Sequence, residues 1–151
     1  MSSTGFFRTS AVLWSVWGAF HLFVGGFLLF LLSAGRVDEA MHGIAGQVEL
    51  ATLGIDYPFA VVATLKQHAF NLGWFGLVTL VASPGVWRGN LPAVALCAIV
   101  GGLGDVGYFV FIDLADLAVP PGPQMTWISG TAVVLSAVAW LRVRKPPTAL
   151  D

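Results

Sequence analysis

The chain has 151 residues, of which 57% are hydrophobic and only 10% charged, and its mean hydropathy is +0.84. Soluble proteins average about 45–50% apolar and about 25% charged residues, so the composition excludes an ordinary soluble domain and points to an integral membrane protein. Net charge is −1, and the basic residues cluster only at Arg142, Arg144 and Lys145, which argues against a nucleic-acid partner. The single cysteine, Cys97, excludes an intrachain disulfide and reads as a small core residue.

The first ten residues are polar with one cation, Arg8, and residues 11–32 form an apolar run long enough for one membrane span. That run exceeds a signal-peptide core, so Ser33-Ala34-Gly35 is read as a helix end rather than a cleavage site. Residues 35–66 are richer in charge. Within them Val37, Met41, Ile44, Val48, Ala51 and Ile55 recur at helical spacing, which predicts an amphipathic helix capping the bundle on its outer side, weakened by Gly43 and Gly46.

Asp56-Tyr57-Pro58 predicts a turn, followed by a helical pattern whose membrane part is placed at 67–86, with 58–66 protruding. Ser83-Pro84-Gly85, Arg88-Gly89-Asn90 and Pro92 punctuate a tight connection to a third span at 91–112. A Pro-stiffened acidic loop from Asp113 to Pro123 leads to the fourth span at 124–141. The fold expected is an all-α bundle of four transmembrane helices in one domain, residues 1–151, running up-down-up-down.

Cations beside the span ends set the orientation. One side collects Arg8, Arg88, Arg142, Arg144 and Lys145, the other only Arg36 and Lys66, so both termini are predicted to be cytoplasmic in a multi-pass cell-membrane protein. Trp14, Trp17, Trp87 and Trp140 then read as an inner aromatic belt, with Trp127 and Tyr57 near the outer boundary.

The third span carries one acid, Asp105, among four glycines: Gly101, Gly102, Gly104 and Gly107. A carboxylate at such depth costs roughly 2.5–3.5 kcal/mol on insertion scales, so it is either paired or functional. Measured from the outer span ends at about 1.5 Å per residue, Asp105 lies about 10 Å deep, Tyr108 and Asn71 about 6 Å, Ser129 about 7 Å, His68 near the surface and His21 about 16 Å. His21 shares its helix face with Gly18 and Gly25, while the second span separates a polar face, His68, Asn71 and Phe75, from a small-residue face, Ala69, Gly73 and Gly76. The expectation is an outward-opening pocket lined by His21, His68, Asn71, Asp105, Tyr108 and Ser129 and roofed by 35–66.

Each of these residues also has a purely packing role open to it, since intramembrane polar groups serve as interhelical glue. The chain has no HExxH, no Gly-x-Ser-x-Gly, no paired cysteines and no phosphate-binding glycine loop. The separate depths of His21 and His68 argue against bis-histidine haem, so no cofactor or metal is assigned. Three classes of function remain: binding of a small apolar or amphiphilic molecule, an accessory membrane subunit, and an embedded enzyme using Asp105 and a histidine in acid/base chemistry. Lipid is the expected surrounding partner, with a homo-oligomer or a second membrane protein as further partners.

Overall fold

The computed structural model describes residues 2–144; Lys145, the last cation of the basic tail, lies outside them. The regular structure of the described residues is all helical, without strands, and four of the helices are long and apolar enough to cross a membrane. These are α1 (Ser3–Ser33), α4 (Phe59–Trp87), α5 (Leu91–Asp113) and α6 (Gly122–Arg144), with two short helices, α2 (Val37–Ile44) and α3 (Leu50–Leu53), between the first pair.

α1 begins earlier than the apolar run because Ser2 caps it, its hydroxyl accepting from Gly5 N at 3.2 Å. It stops where Gly35 takes φ +78°, a left-handed value that returns Arg36 N to Leu31 O at 3.0 Å. The segment expected to form one amphipathic helix is instead two helices joined by a turn, in which Val48 N donates to Ala45 O at 3.0 Å. α2 ends at Ile44 beside Gly43 and Gly46, and the His42 ring nitrogen Nδ1 lies 2.8 Å from Val48 O to close the bend. Arg36 and Glu39 pair across one turn at the start of α2; the hydrogen bond between them holds the Arg36 guanidinium above and the Glu39 carboxyl below their ordinary pKa values. Gln47 N donates to Leu117 O at 3.1 Å, which fastens this cap to the loop between α5 and α6.

α4 is one unbroken helix from Phe59 to Trp87, as its pattern predicts, with residues 59–66 as its first turns. It runs through Pro84, and the tight connection that this proline punctuates in the sequence begins only after Trp87. A proline near a helix end removes only one i→i−4 bond, and the turn comes at Gly89, φ +73°. Asn90 then caps α5, its Oδ1 accepting from Ala93 N at 3.1 Å. α5 carries two wide π-type stretches, Ala98–Gly102 and Phe109–Asp113, on either side of Asp105.

Around the bundle, α1 packs on α4 and α6, and α5 packs on α4 and α6. α1 and α5 therefore stand diagonally opposite. The α1–α4 seam is built from small residues: a Cβ on Gly18 would come within 2.7 Å of Gly76 O, and one on Gly25 within 2.4 Å of Gly73 N. Backbones this close exclude any side chain, which is how small residues let membrane-type helices pack. α1 joins α6 through Ser10, whose hydroxyl lies 2.8 Å from Ala132 O and 2.7 Å from Ser136 Oγ.

Trp14 and Trp17 fill the middle of this square, at 0% and 1% exposure, so they are core rather than interfacial belt. The widened turn of α5 places Gly101 against Trp14, where a Cβ would meet ring atom Cζ3 at 2.5 Å. Cys97 is fully buried in the same core. A second cluster, Leu28, Leu31, Leu32, Ala40 and Ala69, joins α1, α2 and α4 at the opposite end. The end bearing Ser3 and Val143 is called below the terminal end, and the end bearing α2 and α3 the cap end.

Candidate functional site

Asp105 is 5% exposed, at the centre of the diagonal between α1 and α5. Its Oδ2 accepts from the Trp17 indole Nε1 at 2.6 Å, and its Oδ1 stands 3.8 Å from His21 Nε2. Trp17 and His21 are one turn apart on α1, so their rings stack, with centroids 3.7 Å apart and planes 20° from parallel. Two side chains from the same helix face thus converge on one carboxylate.

The orientation of the imidazole follows from its backbone contact. His21 Nδ1 lies 2.9 Å from Trp17 O, and because a carbonyl only accepts, Nδ1 carries the hydrogen. In the neutral ring Nε2 is then left with a lone pair facing the carboxylate. A single proton between Nε2 and Oδ1, or a donor group inserted there, satisfies both; without one, two lone pairs oppose each other. The Ser129 hydroxyl, 2% exposed on α6, sits at the same level: it reaches Thr126 O at 3.0 Å and also neighbours the Asp105 carboxylate, so its one proton serves either acceptor.

The remaining expected residues lie elsewhere. Asn71 Oδ1 accepts from Trp74 Nε1 at 3.1 Å on its own helix, and His68 is exposed on α4. Tyr108 is half-buried with its hydroxyl against Gly122, where an added Cβ would fall 2.0 Å away. The structure therefore brings together His21, Asp105 and Ser129 and leaves His68, Asn71 and Tyr108 toward the cap end. Among the described residues no three of His, Cys, Asp and Glu converge in a way that could hold a metal ion.

Trp17 is the residue that sequence reasoning assigned to the wrong role. Its signal was present: it precedes His21 by one turn, and Trp17, His21 and Gly25 follow one another at four-residue spacing along one face. Depths counted from the cap-end termini separated His21 from Asp105 by about 6 Å. In the structure the terminal ends of α1 and α5 are level, since Ser3, Thr4 and Leu91 line one groove. From there Trp17 and Asp105 are each fourteen residues along, about 21 Å, while α1 overshoots α5 at the cap end by about 12 Å.

α4 meets α5 mainly along residues 91–102, and just beyond that stretch the Phe75 ring of α4 packs at Gly104, 3.7 Å from where a Cβ would stand. His68 is exposed and Asn71 half-buried on α4 toward the cap end, while His21 and Asp105 are buried. Comparison of the chain with family models, curated proteins and solved structures returns no match.

Proposed function

We propose that the chain is an integral membrane protein, its four long helices crossing the bilayer up-down-up-down with both termini cytoplasmic, and that it binds a small amphiphilic molecule between α4 and the cap-end half of α5. Alternation is supported by contact registers: Gly18 with Gly76 and Gly25 with Ala69 oppose α1 to α4, whereas Trp14 with Gly101 and Trp17 with Asp105 align α1 with α5. Immersion is supported by outward apolar surface. Phe111 and Trp127 are each 74% exposed and Phe23 is 68% exposed, which suits lipid and not water.

The observation that carries the binding reading is the 3.8 Å gap between His21 Nε2 and Asp105 Oδ1, longer than a hydrogen bond and flanked by groups already oriented by Trp17. A ligand amine, with one hydrogen for each acceptor, is the donor that gap lacks, its apolar part lying toward the cap end between α4 and α5. Direct proton transfer for an embedded acid/base enzyme asks for a shorter approach, about 2.6–3.2 Å. A second reading, the accessory subunit, is supported by Phe23, Phe27 and Phe30, an exposed aromatic stripe on α1 that a partner helix would cover.

Lipid extraction and native mass spectrometry of the purified chain test the binding reading. The parent should carry a small amphiphile that Asp105→Asn and His21→Leu lose while remaining folded. A parent that copurifies with no small molecule, and with a stoichiometric membrane protein instead, would transfer the conclusion to the accessory subunit.

A further inference from the structure

At the terminal end, far from Asp105, two surface depressions join. The wider one, about 790 Å³, is a mouth edged by Ser3, Thr4, Arg8 and Arg88. The narrower one, about 290 Å³, is an apolar groove between α5 and α6 that runs past Val94, Ala98 and Val133 over the buried Trp14. Leu91 and Trp140 line both, so the groove opens into the mouth.

The mouth is electropositive by construction. Arg8 is held over the Trp87 ring at 5.3 Å, and Arg88 follows directly at the end of α4. Among the described residues no carboxylate pairs with either of these arginines. The first turns of α1 and α5 also line the mouth, and helix N-termini present amide hydrogens that favour anions. Phe7 against Gly89 closes its base, the glycine's φ of +73° leaving only 3.3 Å between an added Cβ and that ring. The groove has the opposite character, with only Ser136 polar among its lining side chains apart from the tryptophan edges, and it extends from Leu91 to Ala98, about 10 Å along the helix.

We infer that this combined mouth and groove is a binding site for one anionic phospholipid, its phosphate between Arg8 and Arg88 and one acyl chain along the α5–α6 groove. The inference rests on the reading that the four long helices cross a bilayer, because only then does the mouth sit at headgroup level with the groove in the hydrocarbon. Charge selects the headgroup, and the continuity through Leu91 and Trp140 selects a molecule that has a chain attached to its anion. A soluble phosphate would use the mouth alone.

Native mass spectrometry of the full-length chain in neutral detergent, with phosphatidylglycerol and phosphatidylcholine added in equal amounts, tests it. The parent should retain phosphatidylglycerol in preference, and Arg8→Gln/Arg88→Gln should weaken that preference by roughly thirtyfold, each cation near a membrane surface contributing about a fivefold factor. Ala137→Phe, at an exposed groove position, should displace both lipids without unfolding the bundle, as a parent-like melting temperature would verify. Unchanged preference in the double arginine variant overturns the assignment, as does displacement of the lipid by inorganic phosphate at equal concentration. Asp105→Asn should keep the phosphatidylglycerol preference, which separates this site from the cap-end one. Release of the chain from membranes by alkaline carbonate would remove the bilayer reading beneath both.

Discussion

The Trp17 indole donates to the Asp105 carboxylate across 2.6 Å and joins two helices that stand diagonally opposite, 88 positions apart in the chain. Adjacent helices of the bundle meet through glycine, alanine and serine, but the diagonal is too wide for small residues. Only the largest side chain bridges it, so a tryptophan sits where a carboxylate needs a donor.

Trp17→Phe keeps the stacked ring beside His21 and removes the donor. Its expected cost is about 1–3 kcal/mol, the range for leaving a buried acceptor unsatisfied. Asp105→Leu should be milder than Trp17→Phe, since removing the acid also removes the cost of burying it. A cycle of unfolding midpoints in detergent over Trp17→Phe, Asp105→Leu and the pair should therefore show strong non-additivity; additive effects would mean the bond carries no energy.

Gly25 and Gly26 are neighbours with opposite demands. A Cβ on Gly25 would strike the α4 backbone at 2.4 Å, whereas one on Gly26 meets nothing within 4 Å. Gly25→Ala should destabilise by about 1–3 kcal/mol, the usual range for overpacking, because backbone cannot swing aside as a side chain can. Gly26→Ala should be neutral or stabilising by up to about 1 kcal/mol through helix propensity. Equal thermal shifts for the two variants would contradict the glycine seam.

The cap should be ordered rather than frayed. Its hold on the α5–α6 loop depends on the Gln47 N to Leu117 O bond and on Gly46, where a Cβ would meet the Val119 side chain at 2.3 Å. Amides of residues 41–55 are expected to exchange more slowly than in a free peptide of that sequence, and Gly46→Val should speed them. Peptide-like exchange in the parent would show that the cap does not dock.

Reporter fusions read the orientation. Those at the C-terminus and after Arg88 should report a cytoplasmic location and one at Glu49 an external location, because Arg8, Arg88, Arg142, Arg144 and Lys145 outnumber Arg36 and Lys66. Reversed signals would invert the sidedness of the cap and of both sites.

Much of the architecture was legible from the residues in order. Four apolar runs exceed what a soluble core helix needs, and four long helices result, because hydrophobic length is a local property. The small-residue faces Gly18–Gly25 and Ala69–Gly73–Gly76 were also visible, since helical spacing alone assigns a face. Some helix ends were less so: Ser2 and Gly89 each acted through a cap or turn geometry that apolar patterning does not register.

Which polar groups meet was decided only in three dimensions. Asp105 could be singled out from the rarity of an acid in an apolar span, but its partners depend on helix height and on which helices lie across the diagonal. Those depend on the glycine seam fixing the offset of α1 and α4 and on the wide turns of α5 rotating Asp105 inward. A side chain's reach is a few ångströms, while an error of one turn in relative height is about 5.4 Å, enough to exchange one set of neighbours for another. His21, Trp17 and Asp105 became one cluster, Asn71 paired with Trp74 and Tyr108 packed against Gly122, for that reason alone.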